Sequence, residues 1–471
     1  MGNMARLADG SSDERKPTCI VMSEMMTPCR SSSRFKSSSP REVDHTARQD
    51  VIPPYMTVVA FKDTIHFTFL FEDLLWRSYG SPWLQHAAEG KLGSLSYDAC
   101  AALSQHLFGH RFGQSDVEQT SALAYDRVVT SLRISLLSTD RPDPTVVTPM
   151  LILVARSCAT SSLFEASSHI NGLQALLQAC GPRAFATDSV HDTFRSCRAM
   201  VVSNSLILHK RTFLEDISWR SDPWSERGKS DEDQLVDILA TVPGTYEDLV
   251  TADNSLPYAA SGLYEHASLN IEASLTRLFY WRRNWDAKYP RVACATLRTP
   301  RGLGGKGLPV YPQGAELMLC YDNFARSIED SLFNAVAISL MDTLSAENMP
   351  ESLAANVQDN LRRMFDDHQQ SNTTWDASPA LLPLSGVWSI HDLAKQIIRA
   401  FEYQLEHVRT CHESTLFWLF PVGLASKILE DDDEWSKWVQ MMLEKSRSTH
   451  GEPQSLLERF VSGDYRLGVH K

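Results

Sequence analysis

With 471 residues, 43 % of them hydrophobic and 22 % charged, the chain has the make-up of an ordinary globular protein and enough length for a large buried core. Its formal net charge of −13 works against unaided binding to a phosphate backbone, which takes a surplus of Lys and Arg. The longest apolar stretch, Val146 to Ala155, falls well short of the roughly 20 residues of a membrane span.

No charged-then-apolar leader opens the sequence, so no secretory signal is expected. Nine cysteines lie scattered at 19, 29, 100, 158, 180, 197, 294, 320 and 411. Their odd number and their placement inside apolar helical patterns read as free thiols in a reducing compartment, the cytosol or nucleus. Asn372-Thr373-Thr374 is then a glycosylation sequon in form alone.

Residues 1–54 stand apart. Six of the nine positions from Ser31 to Ser39 are serine, Pro53-Pro54 closes the segment, and eight basic residues face seven acidic ones. So little apolar surface cannot offset the entropy of ordering, and a disordered Ser/Arg-rich segment is expected. The rest of the chain, 55–471, keeps 37 basic against 51 acidic residues.

From residue 57 the pattern is one of successive helices. Over 57–76, Ile65, Phe67, Phe69 and Phe71 alternate as in a strand, while Phe61, Ile65 and Leu74-Leu75 suit a helix; the helical neighbours favour the helix. Tyr125, Val128, Leu132 and Leu136 mark a helix over 121–138, broken by Asp140-Arg141-Pro142. Thr148-Pro149 has the form of a cap with proline in the first turn, opening a helix through Ala155.

Ser168 is the expected cap of a helix with Ile170, Leu173, Leu177 and Cys180 on its stripe, ended by Gly181-Pro182. A long helix over 190–215 follows, with Phe194, Cys197, Val201, Ser205 and Leu208 on one face. Asp216 to Trp224 forms a Trp-bearing turn, and a helix from Asp231 to Thr241 is stopped by Pro243-Gly244. Further helices are expected over 267–287, 314–342, 352–369, 390–409, 412–430 and 434–447. No pair of β-branched runs joined by a hairpin turn is present, so the sequence predicts an all-α array.

Four features invite a chemical reading. Gly302-Leu303-Gly304-Gly305-Lys306-Gly307 imitates a dinucleotide fingerprint and a phosphate loop. It follows Arg298-Thr299-Pro300 rather than a strand, and Gly307 stands where a phosphate loop needs Ser or Thr, so it reads as a surface loop. Glu430-Asp431-Asp432-Asp433-Glu434 resembles the aspartate-rich magnesium motif of terpene synthases. It lies between helices, 37 residues from the end, and reads as a solvated loop. Cys411-His412-Glu413 with His407 lacks the four convergent ligands of a zinc site, and the chain has no Cys-x-x-Cys. The tryptophans at 76, 219, 224, 281, 285, 388 and 418 suit interhelix packing. No nucleophile elbow or His-Glu-x-x-His occurs. No catalytic, cofactor-binding or metal residue is therefore nominated, and no enzyme is expected.

Three stretches share their order and spacing with a known family. The first is Ser168-His169-Ile170-Asn171-Gly172-Leu173-Gln174-Ala175-Leu176-Leu177, closing on Gly181-Pro182. The second runs from Ala199 to Trp219 through Arg211-Thr212-Phe213-Leu214 to the Pro223-Trp224 turn, then Asp237-Ile238-Leu239 and Val242-Pro243-Gly244. The third is Ile397-Ile398-Arg399-Ala400-Phe401-Glu402-Tyr403, then Leu416-Phe417-Trp418-Leu419-Phe420-Pro421 and Ala425.

Together, across 57–447, they resemble the regulatory domain of fungal zinc-cluster transcription factors. The resemblance implies an all-α multi-helix array of the fungal transcription factor regulatory domain type, a nuclear location, and control of metabolic or secondary-metabolite genes. In that family an N-terminal six-cysteine cluster binds two zinc ions and reads DNA. Here residues 1–54 hold only Cys19 and Cys29. Either a first exon is missing, an account that the linker-like stretch Arg30 to Arg41 favours, or regulation runs through partners. The implied partners are proteins of the transcription machinery or a DNA-binding co-regulator, with a small-molecule effector besides. Specific DNA binding by this chain alone and membrane association are not expected. The residues alone leave open an all-α metabolic enzyme or small-molecule binding protein, and an interaction scaffold.

Overall fold

In a computed structural model, residues 62–74, 81–137, 142–159, 163–297, 311–345, 349–370, 378, 380–382, 389–407 and 420–450 are described. The chain divides into two units, Met1–Gln49 and Asp50–Lys471, and every described residue belongs to the second. The expected disordered segment 1–54 lies outside the described residues.

The ambiguous Phe-rich stretch is helical where described. Helix α1 (Lys62–Thr68) widens into a π turn, Phe69–Leu74, that buries Phe69 and Leu70. Two helices without a marked sequence pattern come next, α2 (Ser81–Ala88) and α3 (Ser94–Phe112). The α3 interior is built on small residues such as Ala99, Cys100, Ala102 and Ser104, which blur an apolar stripe. Gly113, at φ 63°, reverses the chain into α4 (Ser115–Leu137). There Val128 and Leu132 are buried as expected, with Tyr125 and Leu136 half-buried.

Several helix starts differ from the sequence reading. Before α5 (Val147–Ala159) lies a short 3-10 turn, Pro144–Val146. Asp143 caps it by accepting the Thr145 amide at 2.9 Å, so Thr148 is an interior residue whose hydroxyl meets that of Thr193 at 3.1 Å. Helix α6 (Leu163–Cys180) begins ahead of Ser168, which is therefore not its cap. Its end is as expected: the Gly181 amide closes on the Leu177 carbonyl at 3.0 Å, and Pro182 opens a 3-10 turn, Pro182–Phe185.

Helix α7 (Asp188–Leu208) stops short of residue 215, because His209 takes a left-handed conformation at φ 50°. Phe194, Cys197, Val201 and Ser205 are buried, but Leu208 is 52 % exposed and ends the stripe. The Trp-bearing turn becomes α8 (Ile217–Ser221) and a 3-10 turn, Asp222–Trp224, with Trp219 and Trp224 both buried. Helix α9 (Asp231–Leu239) starts from a capping box between Ser230 and Asp233.

Pro243-Gly244 does not stop a helix; it opens α10 (Val242–Asp253), where proline in the first turn forfeits no intrahelical bond. Helix α11 (Pro257–Lys288) begins ahead of residue 267, through a first half whose exposed faces give no stripe to read.

The all-α expectation holds except for one two-stranded antiparallel sheet among the described residues. Strands β1 (Ala293–Leu297) and β2 (Leu317–Tyr321) pair from Ala293–Tyr321 to Leu297–Leu317. The helix expected over 314–342 is thus a strand followed by α12 (Phe324–Thr343). A five-residue apolar run suits either structure, and alternating burial of Leu319 and Tyr321 decides for the strand. The remaining helices are α13 (Glu351–Gln370), α14 (Ile390–His407), α15 (Phe420–Ile428) and α16 (Asp433–His450).

Helix α12 is the axis of the core. Almost every side chain from Phe324 to Leu340 is buried, and α9, α10, α11, α14, α15 and β2 all pack on it. Small residues at 325, 327, 331, 335, 337 and 339 let these neighbours approach from all sides.

Candidate functional site

A helix surrounded by others must also bury its polar residues, and those of α12 find their partners across helix boundaries. Asp330 is 1 % exposed. It accepts a hydrogen bond from the Tyr321 hydroxyl at 2.7 Å and two from the Gln396 amide of α14, at 2.9 and 3.0 Å. The Arg282 guanidinium of α11 stands 4.0 Å away. Arg282 donates to Asp286 one turn on, at 2.9 Å, and to the Leu382 carbonyl at 3.2 Å. Gln396 completes the circuit by accepting the Leu382 amide at 2.7 Å.

Burial pushes the carboxyls of Asp330 and Asp286 above their ordinary range, against the pull of Arg282. Burial likewise raises the Tyr321 phenol, with Asp330 adding to the effect. One oxygen of Asp286, Oδ2, has no hydrogen-bond partner. The cluster joins α11, α12, α14, β2 and the Leu382 segment through groups that would be costly to bury alone.

A second carboxyl extends the cluster along α12. Glu329 accepts the Trp285 indole N–H at 2.6 Å and pairs with Arg326 at 2.8 Å. Burial pushes Glu329 up to about 8, with Arg326 and the indole opposing. Arg326 also reaches Asp231 at the start of α9, at 3.5 Å, and lies 4.0 Å from the Tyr289 ring centroid. Asp231 is held in turn by Lys288 at 2.7 Å and the Tyr289 hydroxyl at 2.9 Å.

Between α7 and α9 a further set of charges is buried. Arg195 bridges Glu232 at 3.2 Å and Asp233 at 3.1 Å, and Arg198 pairs with Asp237 and, at 3.5 Å, with Asp233. Lys229 holds the other oxygen of Asp237. The Arg198 guanidinium lies 4.4 Å from the Trp224 ring centroid, which gives the expected Trp-bearing turn its role. Burial opposes ionisation of Asp233, but Arg195, Arg198 and Ser230 together outweigh it and hold the carboxyl below its ordinary range.

Within the second resembling stretch, Arg211 and Gly244 come together. Arg211 pairs with Glu215 and with Asp248 at 2.7 Å, donates to the Gly244 carbonyl at 3.2 Å, and offers its own amide to Glu247 at 2.9 Å. A β-carbon on Gly244 would stand 2.6 Å from a Glu215 oxygen and 2.8 Å from Arg211. At Gly244 the ion pair lies against the backbone, so any side chain there must push it aside. In α6, Ile170, Leu173 and Leu177 are buried, and His169 meets the Tyr125 hydroxyl at 2.7 Å. In α14, Ile397, Ile398, Phe401 and Tyr403 are buried, and Tyr403 donates to the Tyr321 carbonyl at 3.0 Å. Glu402 is buried too. Phe420 is buried where α15 packs on α14; 408–419 lie outside the described residues.

Gly302–Gly307 and Cys411–Glu413 lie outside the described residues as well, as do Trp76, Trp388 and Trp418. His407 is described, and its Nδ1 is 2.8 Å from the Tyr403 carbonyl. The acidic run turns the chain between α15 and α16: Asp432 caps α16 through the Trp435 amide at 3.3 Å and pairs with Lys395 at 3.4 Å, and Lys427 takes Glu430. Among the described residues no group of three or more His, Cys, Asp or Glu side chains is arranged to hold a metal ion, and no helix is long and apolar enough to cross a membrane. Arg282, Asp286, Tyr321, Asp330 and Gln396 carried no sequence signal, being polar residues from four separate segments.

Compared with known proteins, the chain matches no family model, no curated protein and no solved structure.

Proposed function

We propose that this chain is the helical regulatory part of a fungal zinc-cluster-type transcription regulator, working in the nucleus on metabolic or secondary-metabolite genes. The observation that supports the reading is the junction at Arg211. Two of the resembling elements, Arg211-Thr212-Phe213-Leu214 and Val242-Pro243-Gly244, meet there, with the Arg211–Glu215 pair lying directly against the backbone at Gly244. Residues brought together by shared ancestry of a fold should interlock in this way, whereas chance matches scattered along a chain need not.

In this reading DNA is read through a zinc cluster supplied outside these 471 residues, by a missing first exon or by a partner, since an acidic helical array offers few phosphate contacts. The buried charge clusters set the relative positions of α7, α9, α11, α12 and α14, so a protein or small molecule that favours one arrangement of these helices has a route to the transcription machinery.

Fusing the full chain to a heterologous DNA-binding domain and measuring a reporter gene tests this. A change in reporter output that depends on the chain, together with broad transcript changes on deletion of the gene, is the expected result. An inert fusion, with deletion removing one metabolite and no transcripts, would sink the reading in favour of an enzyme or binding protein. The purified chain alone should bind DNA weakly, with strong salt sensitivity and no sequence preference.

A further inference from the structure

The register of the small sheet sets two cysteines face to face. Cys294 of β1 is directly opposite Cys320 of β2. Both are free thiols; Cys294 is exposed and Cys320 half-buried. Ala293, Leu319 and Tyr321, the residues beside them, turn inward and are buried, so both sulfurs belong to the outer face of the sheet. We propose that Cys294 and Cys320 form a cross-strand dithiol site that hydroperoxides convert, reversibly, to an intrachain disulfide.

The geometry allows the bond and also makes it labile. The Asp322 amide donates to the Val292 carbonyl at 3.0 Å, two residues along the ladder. Alternation then places Cys294 and Cys320 at a hydrogen-bonded pair, where α-carbons are about 5.5 Å apart. That lies inside the roughly 4.4–6.8 Å that disulfides span. The β-carbons of such pairs sit towards the far end of about 4.5–5.5 Å, while a relaxed disulfide wants about 3.5–4.5 Å. The strands must draw together, and a bond closed under that strain is more easily reduced than a structural one.

The chemistry runs in two steps. The exposed Cys294 thiolate attacks the hydroperoxide: a sulfur–oxygen bond forms, the oxygen–oxygen bond breaks, and the alcohol (water, for hydrogen peroxide) leaves. Cys320 then attacks the resulting sulfenic acid: the sulfur–sulfur bond forms, the sulfur–oxygen bond breaks, and water leaves. Two thiols lose two electrons in all, and one hydroperoxide gains them. The Thr296 hydroxyl, 3.3 Å from the Cys320 sulfur, steadies the second thiol on the same face.

The test uses the full chain treated with equimolar hydrogen peroxide, then alkylated, digested with trypsin without reduction and weighed by mass spectrometry. Cleavage after Arg291, Arg298, Lys306 and Arg326 puts the two cysteines on separate peptides, 292–298 and 307–326. Linkage of these two should exceed any other pairing of either cysteine by roughly tenfold, as expected of thiols held adjacent. Dithiothreitol should release it, and the urea-unfolded chain should lose the preference. With Cys320→Ser, Cys294 should instead be recovered as sulfenic acid, trapped by dimedone. Pairing of Cys294 with other cysteines at similar yield, or both thiols remaining alkylatable after peroxide, overturns the proposal.

Discussion

Trp285 on α11 donates its indole N–H across 2.6 Å to Glu329 on α12, a carboxyl that burial pushes up to about 8. The folded protein therefore keeps a proton that the unfolded chain, with Glu329 near its ordinary 4.5, has already released at neutral pH. Stability from this group is unaffected below pH 4.5, falls as pH rises towards 8, and levels off above. Glu329→Gln keeps an acceptor for the indole and removes the titration. Across pH 5 to 8 the wild type should lose about 3 kcal/mol more than the variant, read from urea midpoints at each pH. Parallel curves for the two proteins would show that Glu329 stays ionised when folded.

Phe401 is fully buried on α14, whereas Leu208 at the end of α7 is 52 % exposed. Phe401→Ala should cost about 3–5 kcal/mol through the cavity it leaves, with a clear fall in Tm and soluble yield. Leu208→Ala should stay within about 0.5 kcal/mol of wild type. A thermally silent Phe401→Ala would displace α14 from the core.

Gly244→Ala forces the Arg211–Glu215 pair off the α10 backbone and should cost about 1–3 kcal/mol. Truncating Arg211 removes part of what the new methyl meets. In an Arg211→Ala background the glycine substitution should therefore cost less, a coupling measurable as a double-mutant cycle. Strict additivity would mean that the two residues do not touch.

Arg198 is 1 % exposed between Asp233 and Asp237. Arg198→Met fits the space and keeps the contact with Trp224, but it leaves Arg195 and Lys229 alone to balance Glu232, Asp233 and Asp237. With one buried negative charge uncompensated, it should destabilise by about 3–5 kcal/mol. Removing Arg183, paired with Asp222 at 3.3 Å on the surface, should change stability by less than about 1 kcal/mol. Chemical denaturation of the two variants side by side checks the ranking.

Where burial follows a regular helical period, the sequence shows it. The stripes through Ile170 to Cys180 and Leu393 to Leu405 are helices with those faces buried. The strands were hidden because Leu317 to Tyr321 is too short for its period to be told apart from a helix. The part of α11 before residue 267 was hidden for the opposite reason, since Tyr258 points into solvent and no residue from 257 to 266 is buried to mark a stripe. The buried polar cluster was illegible in principle. Asp330 and Gln396 look like a solvent-facing acid and amide until the fold brings together positions 66 residues apart. The Arg211 junction was half legible, because its residues stand out while their partners do not.

The position of α12 has a consequence for synthesis. Its walls include α9 and α10, which leave the ribosome before it, and α14 and α15, which leave after it. From the emergence of Thr343 until Ile428 is made, an apolar helix has only part of its enclosure. At about 5–20 residues per second that interval is on the order of ten seconds. During that time the side of α12 that α14 and α15 will cover stays open, a surface suited to chaperones that hold unfinished chains.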